Sequence, residues 1–259
     1  MRSIREIGGR RLPFLRWSVV RMALNRRNLL ENWQVGDGRE EALAEYVLAN
    51  ARQGDPGDAV RVIDEFCMNQ SAMMNVGDEK GEILDRAVRR ASPKLVLELG
   101  TYCGYSALRM AGVMPAGARV CSIEFNPDNA AIARRIWDYA GIGEQLTVVV
   151  GTLGDGGSTI DRLRNEHGFG EGTVDFVFAD HDKAAYLPDL ERILGEGWLH
   201  PGSIVVADNV RFPGAPEYRA YLAAQQGKTW DSIEHETHVE YQSLLRDLVL
   251  ESEYLGERR

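Results

Sequence analysis

The sequence predicts a doubly wound α/β domain, a mostly parallel sheet that ends in a C-terminal antiparallel hairpin strand and is preceded by N-terminal helices. Three observations support this prediction. Five short apolar runs follow residue 94, helical patterns separate them, and 259 residues suffice for one large domain. With 44% hydrophobic and 27% charged residues, the composition is that of a globular protein.

The first 31 residues form a basic arm. They hold eight arginines against Glu6 and Glu31, a net charge of +6, whereas the remaining chain carries 22 basic and 37 acidic residues, a net of −15. From Leu12 to Leu30 apolar residues recur at roughly helical spacing, which predicts an amphipathic helix. We favour packing of this helix on its own domain or on a twin subunit. A weak contact with an anionic membrane surface is the alternative.

Charge and composition argue against several classes of protein. With a formal net charge of −9, nucleic acid is not expected as a partner. No run approaches the 18 or more apolar residues of a membrane span, and the N-terminus lacks the features of a signal peptide. The three cysteines form no CxxC pair, which favours reduced thiols. We therefore expect a cytoplasmic protein, peripheral at a membrane if the arm binds there.

Residues 32–259 are expected to form the single domain, with covering helices over 32–92 and the α/β core over 93–259. Helical spacing predicts two covering helices, Arg39–Arg52 and Asp58–Met68. Alternation within His238–Leu255 predicts the closing hairpin. The core strands are almost continuously apolar, so both faces of the sheet should be covered. The predicted strands are Leu95–Leu99, Arg119–Phe125, Leu146–Val150, Val174–Ala179 and Ile204–Ala207, with helices such as Ser106–Val113 and Pro127–Ala140 between them.

The first strand-to-helix turn, from Glu98 to Ser106, is the most informative segment. Glycines at positions 100 and 104 let the backbone approach a ligand closely. Their Gly-x-x-x-Gly spacing differs from the Gly-x-Gly-x-x-Gly that cradles a pyrophosphate, which argues against a nicotinamide or flavin cofactor. The carboxylate of Glu98 suits an ammonium group and would repel a diphosphate. A plain turn with a surface glutamate is the alternative.

Glu124 ends the second predicted strand, 20 residues after Gly104. An acidic residue at that place can accept hydrogen bonds from both hydroxyls of a ribose. A ribose without a pyrophosphate, together with an ammonium group, indicates an adenosyl amino acid such as S-adenosylmethionine. The alternative for Glu124 is a residue that only caps the following helix.

Polar residues also follow the fourth and fifth predicted strands. Asp180 follows one of them, and Asp208 with Asn209 follows the other. Neighbouring strands lie about 4.8 Å apart, so two aspartates there must share a proton or bind a cation. Their oxygens, with the amide oxygen of Asn209, suit Mg²⁺. The alternative is that Asp208 and Asn209 only cap the next segment.

Two residues beside this set have separate expected roles. His181 is not expected to bind the metal, because zinc would require more imidazole or thiolate ligands, and we place it beside the cofactor. Lys183 lies three residues past Asp180. An amine near a divalent cation gives up its proton more readily, which makes Lys183 a candidate general base. The alternative is that Lys183 is an ordinary solvated lysine on a loop.

Four longer strings resemble catechol O-methyltransferase over Trp33–Tyr254. They are Met74-Asn75-Val76-Gly77-Asp78-Glu79-Lys80-Gly81, Glu98–Ser106, Asp180-His181-x-Lys183, and Ala207-Asp208-Asn209-Val210-x-x-Pro213-Gly214-Ala215-Pro216. The resemblance implies a Rossmann-like fold and Mg²⁺-dependent methyl transfer from S-adenosylmethionine to a hydroxyl of a catechol or similar small aromatic diol. It implies a cofactor site of Val76, Glu98, Gly100, Tyr102, Ser106, Glu124, Asp180 and His181.

The same resemblance implies the metal and substrate residues. Asp180, Asp208 and Asn209 would hold Mg²⁺, and Lys183 would be the catalytic base. The acceptor site would consist of Lys183, Asn209, Pro213 and Glu240, with Glu240 bonding the second hydroxyl. For Glu240 this role rests on the resemblance alone.

The chain departs from the family at the walls of the substrate and cofactor sites. Ala72 and Asp182 stand where the family has tryptophans, and Leu153-Gly154 replaces a Ser-Gln pair near adenine. Arg211-Phe212 replaces smaller apolar residues at the substrate mouth. We therefore expect an acceptor other than a simple catecholamine, such as a larger polyphenol or a conjugate. A non-catalytic S-adenosylmethionine-binding partner protein and a nicotinamide oxidoreductase are the competing hypotheses.

Overall fold

The computed structural model describes residues 17–25, 28, 31, 33–242 and 244–256. Most of the basic arm predicted over residues 1–31 therefore lies outside the described residues. Helix α1 (Trp17–Leu24) is the described helix of this arm, with Trp17 and Leu24 exposed. The guanidinium of Arg39 donates to the carbonyls of Ser18, over 2.9 Å, and Ala72, over 2.5 Å, so α1 is held against the domain.

Seven strands form one sheet, in the order β3-β2-β1-β4-β5-β7-β6. The first five are parallel, and β7 pairs antiparallel with both β5 and β6. The doubly wound fold with a closing antiparallel hairpin is therefore confirmed. The strands are β1 Leu95–Leu99, β2 Arg119–Glu124, β3 Leu146–Val150, β4 Val174–Ala179, β5 Leu199–Ala207, β6 Trp230–His238 and β7 Arg246–Tyr254.

Helices cover both faces of the sheet, as the continuously apolar strands predicted. One apolar core lies between the sheet and helices α2 to α6, and a second lies between the other face and α7 to α9. Val96 of β1 belongs to the first core, whereas its neighbour Leu97 belongs to the second. The helices are α2 Arg39–Asn50, α3 Pro56–Asn69, α4 Gly77–Ala91, α5 Tyr105–Ala111, α6 Pro127–Tyr139, α7 Ser158–His167, α8 Tyr186–Gly195 and α9 Pro216–Ala224.

The structure corrects the position of the hairpin. Its first strand is β6, Trp230–His238, which begins eight residues before the predicted segment His238–Leu255. Strand β6 forms the outer edge of the sheet, where most of its side chains are partly or fully exposed. It therefore lacks the apolar run of a central strand, and the sequence pattern passed over it.

Helix α4 was not predicted as a separate element. It is rich in charge, and its buried apolar side chains are confined to Ile83, Leu84, Ala87 and Val88. The three cysteines are buried thiols rather than halves of a disulfide. Among the described residues, no helix has both the length and the apolar character needed to cross a membrane.

Candidate active site

Two aspartates stand side by side at the carboxyl edge of the sheet. Ala179 at the end of β4 lies opposite Ala207 at the end of β5, and the Asp208 N–H donates to the Ala179 carbonyl over 3.0 Å. The adjacency of Asp180 and Asp208 expected from the sequence is therefore confirmed. Burial raises the pKa of both carboxyls, that of Asp208 to about 7, and the charge of Asp180 contributes to the rise at Asp208.

Lys80 extends from helix α4 into this pair of aspartates. Its side chain is 1% exposed, and its ammonium nitrogen lies 2.8 Å from Asp208 Oδ2 and 3.2 Å from Asp247 Oδ2. It also forms an ion pair with Glu240. Burial lowers the pKa of Lys80, but the three carboxylates outweigh burial and hold it above its ordinary value. Lys80 therefore remains charged inside the site.

Asn209 follows Asp208 in the left-handed backbone region, at φ 54°. Asparagine tolerates that region better than most residues. Its side-chain Nδ2 donates to Asp247 Oδ2 over 2.8 Å and to Glu240 Oε1 over 3.2 Å. The structure thus brings Glu240, which the resemblance alone had placed in the site, into direct contact with Asn209.

Lys183 lies in a short turn directly after β4, as the sequence predicted. Its Nζ donates to Asp180 Oδ1 over 2.9 Å and to the Tyr186 hydroxyl over 2.6 Å. That hydroxyl lies 2.8 Å from the Ala179 carbonyl and 3.0 Å from the Asp208 carbonyl, within donating distance of both. Tyr186 therefore joins the lysine to the two strand ends. Sequence reasoning missed Tyr186, although its spacing of three from Lys183 is one helical turn.

The glycine turn after β1 packs directly against the segment that carries Asp180. A Cβ on Gly100 would lie 2.4 Å from the Asp180 carbonyl oxygen, and the backbone φ there is +96°. Both requirements select glycine. Glu98 is fully buried and accepts hydrogen bonds from Ser106 Oγ, over 2.5 Å, and from Ser122 Oγ. Burial raises the pKa of Glu98 to about 7. The alternative of a surface glutamate is therefore excluded.

Glu124 lies at the end of β2 beside this turn. It accepts from the backbone N–H groups of Tyr102, over 2.8 Å, and Asn126, over 2.9 Å. Burial raises the pKa of Glu124, although these hydrogen bonds oppose that effect. The Tyr102 hydroxyl donates to Glu40 of α2 over 2.8 Å. Helix α2 therefore packs over the predicted cofactor turn.

The remaining predicted residues surround this edge of the sheet. Val76 is buried and immediately precedes α4. The ring of His181 stacks on Tyr186, its Nε2 lies 3.0 Å from Asp189 Oδ2, and its buried Nδ1 has no hydrogen-bond partner among the described residues. Pro213 is exposed in the turn Val210–Gly214. The structure holds all the predicted residues near one edge, while their ligands remain predictions.

The comparisons with known proteins agree with this geometry. Residues 59–225 match the family model described as O-methyltransferase. A probable O-methyltransferase of Mycobacterium tuberculosis is 61% identical over 235 residues, covering 91% of this chain and 100% of the relative. The chain belongs to the S-adenosylmethionine-dependent O-methyltransferase family. The nicotinamide oxidoreductase hypothesis is therefore rejected.

The family resemblance to catechol O-methyltransferase is also confirmed. Catechol O-methyltransferase B of Danio rerio is 43% identical over 218 residues, covering 84% of this chain and 80% of the relative. An O-methyltransferase of Bacillus cereus, solved in complex with SAH, shares the fold, with a TM-score of 0.61 and 21% identity. That match covers 90% of this chain and 97% of the Bacillus protein.

Proposed function

We propose that this O-methyltransferase transfers the methyl group of S-adenosylmethionine to one hydroxyl of a catechol or similar vicinal aromatic diol, with Mg²⁺ in the site. The single observation that supports this best is the pairing of Lys183 with Asp180 at 2.9 Å, beside Asp208 on the next strand. A candidate base and a cation-binding edge thereby share one wall of the site.

The donor set fits a hard divalent cation. Asp180, Asp208, Glu240 and Asp247 supply four carboxylates, against which Lys80 and Lys183 set two ammonium groups. With all six groups ionised, two negative charges are left. Asp208 Oδ2 lies 2.8 Å from Lys80 Nζ but accepts no hydrogen bond of good geometry within the described structure. No group of three or more His, Cys, Asp or Glu side chains arranged to hold a metal is found in the described ranges. The ligand set that we propose is therefore the carboxylates of Asp180 and Asp208 with the amide oxygen of Asn209.

Bound there by Asp180, Asp208 and Asn209, Mg²⁺ would supply Lewis acidity toward the acceptor hydroxyls. The chain itself supplies the base. Lys183 in its neutral form takes the proton from the attacking hydroxyl, and the oxygen then bonds to the methyl carbon as the carbon–sulfur bond breaks. The sulfonium becomes a neutral thioether, so the positive charge passes from the cofactor to Lys183.

Positioning of Lys183 is the part of catalysis that the structure describes most directly. The lysine donates to both Asp180 and Tyr186, and Tyr186 is itself fixed by the two strand-end carbonyls. An amine held in this way needs little rearrangement to meet a hydroxyl at the same edge. Such prior alignment lowers the entropic part of the barrier.

The cofactor side of the site supports the proposal by shape and charge. Close packing of Gly100 on the Asp180 backbone holds the glycine turn after β1 against the strand end that carries Asp180. Glu124 would accept from ribose hydroxyls, and Glu98 would act on the ammonium group, in part through the Ser106 hydroxyl that it binds. Val76, Tyr102 and His181 would complete the walls around the methionine and adenosine parts.

The acceptor side supports a substrate larger than a simple catecholamine. Phe212, which precedes Pro213, is 50% exposed, and Leu244, four residues after Glu240 in the chain, is 53% exposed. Ala72 stands where the family has the tryptophan that helps to sandwich the aromatic substrate. Apolar side chains presented to solvent at the mouth of a site favour contact with an extended aromatic acceptor, such as a polyphenol or a conjugate.

The test is methyl transfer from S-adenosylmethionine to a panel of diols that ranges from catechol to larger polyphenols, followed by mass spectrometry with Mg²⁺ or with EDTA. We expect a monomethyl product that depends on Mg²⁺ and is lost in Lys183→Met, with a kcat fall of about 10²–10⁴-fold. Lys228→Met is the matched control, because the exposed side chain of that lysine donates only to the Ala224 carbonyl of α9 among the hydrogen bonds described.

Three outcomes would contradict parts of the proposal. Equal product formation in EDTA would refute the proposed need for Mg²⁺. Wild-type turnover in Lys183→Met would refute the assignment of Lys183 as the base. Cofactor binding without methylation of any diol would instead support the non-catalytic partner protein. Loss of activity in Lys228→Met as well would show that the assay reports folding rather than chemistry.

A further inference from the structure

Asp247 of strand β7 binds three groups of the site, although sequence reasoning gave it no role. The residue is fully buried. Its Oδ2 accepts from Asn209 Nδ2 over 2.8 Å and lies 3.2 Å from Lys80 Nζ. Its Oδ1 accepts from the backbone N–H of Phe212 over 3.0 Å. One carboxylate thus contacts a metal-ligand candidate, a buried cation and the turn at the substrate mouth.

These contacts decide which way the Asn209 amide faces. A side-chain amide has an NH₂ group with two donors and an oxygen that only accepts. Both neighbours of the NH₂ group, Asp247 and Glu240, are acceptors when ionised. The reversed amide would place its oxygen against two carboxylates, which is repulsive. The carbonyl oxygen of Asn209 is therefore directed away from both.

We propose that Asp247 is a positioning residue, which presents the amide oxygen of Asn209 to the cation and holds the turn Val210–Gly214 in place. Lys80, whose Nζ lies 3.2 Å from Asp247 Oδ2, is the counter-ion of this buried carboxylate. The role toward the cation rests on the proposed function. The role toward the amide and the turn does not, because both hydrogen bonds join groups of the protein itself.

The substitution Asp247→Asn isolates this role, because it keeps the size of the side chain and removes its second acceptor. The new amide can accept from Asn209 or from Phe212, but then turns its own NH₂ group toward the other donor. The loss of an outer hydrogen bond to a metal ligand typically weakens metal binding by about 10–100-fold. We expect a rise of that size in the Mg²⁺ dissociation constant, and a raised KM for the acceptor with unchanged S-adenosylmethionine affinity.

The matched control is Glu251→Gln, on the same face of β7. Glu251 is also a buried acidic residue, but it pairs with His235 and Arg90, away from the site. Mg²⁺ affinity is measured by calorimetry, and the side-chain amide pair of Asn209 is followed by ¹⁵N NMR in metal-free protein, assigned by its loss in Asn209→Ala. We expect the amide signals to move in Asp247→Asn and to stay in Glu251→Gln.

Unchanged Asn209 signals and an unchanged Mg²⁺ constant in folded Asp247→Asn would overturn the proposal. If that variant does not fold, judged by circular dichroism, Asp247→Glu takes its place. Asp247→Glu keeps a carboxylate beside Lys80 but displaces its oxygens by one methylene. We therefore expect the same changes in the Asn209 amide signals and in the Mg²⁺ dissociation constant. A wild-type protein that binds no Mg²⁺ would refute the proposed reaction, while the amide spectra would still decide the role of Asp247.

Discussion

Removing the charge of Lys80 tests how far one buried cation stabilises the site. In Lys80→Met the ammonium group is lost from among Asp208, Glu240 and Asp247, while a side chain of similar length remains. Removing one partner of a buried ion pair costs about 3–5 kcal/mol, because the remaining charge is left uncompensated. At roughly 2–4 °C per kcal/mol for a protein near this size, Tm should fall by about 6–20 °C.

The loss of stability in Lys80→Met should depend on pH in a defined direction. The folded-state pKa of Asp208, already raised to about 7 by burial, should rise further without the cation. A carboxyl whose pKa is raised on folding favours the folded state at low pH, and this advantage disappears as pH rises through the folded value. The variant should therefore lose more stability at pH 8 than at pH 5.5.

The stabilisation that Lys80 gives the wild type has its own pH window. The pKa of Lys80 is raised on folding above its usual 10.5, so its contribution is fully present below that value and is lost only at more alkaline pH. Thermal unfolding by circular dichroism at pH 5.5 and 8, with the exposed Lys228→Met as control, measures both effects. A Tm equal to that of the control, or a larger loss at pH 5.5, would refute the reasoning.

Two further substitutions address the base and the glycine turn. Tyr186→Phe removes the 2.6 Å partner of Lys183 but keeps the ring against His181, so we expect kcat to fall by about 10–100-fold, from a hydrogen bond to a charged group, with KM for S-adenosylmethionine unchanged. An unaltered kcat would show that Tyr186 does not position Lys183 for catalysis. Gly100→Ala places a methyl group 2.4 Å from the Asp180 carbonyl oxygen at positive φ. The free energy of unfolding from a denaturant titration should therefore fall by about 1–3 kcal/mol, and the affinity for S-adenosylmethionine should fall as well. Gly117→Ala, also at positive φ but in open space, is the control, and equal effects in both would refute the close-approach argument.

The sequence by itself predicted the central sheet and one edge of the site. The apolar runs of β1 to β4 were found within one residue of their observed ends, because central parallel strands are buried on both faces. The carboxyl ends of such strands meet at one edge, so the strand pattern alone is enough to place Asp180 and Asp208 together. The sequence pattern was sufficient where buried parallel strands and their carboxyl ends decide the outcome.

Only the tertiary structure brought Lys80, Asp247 and Tyr186 into the site. Lys80 and Asp247 are 167 residues apart, and each looks like an ordinary charge on an exposed face of its own element. The edge strand β6 was overlooked for a related reason, since its polar side chains carry no apolar pattern. Burial of a charge depends on what packs over it from elsewhere in the chain. The chain folds α4 against β7, and that packing encloses one lysine among carboxylates from three segments.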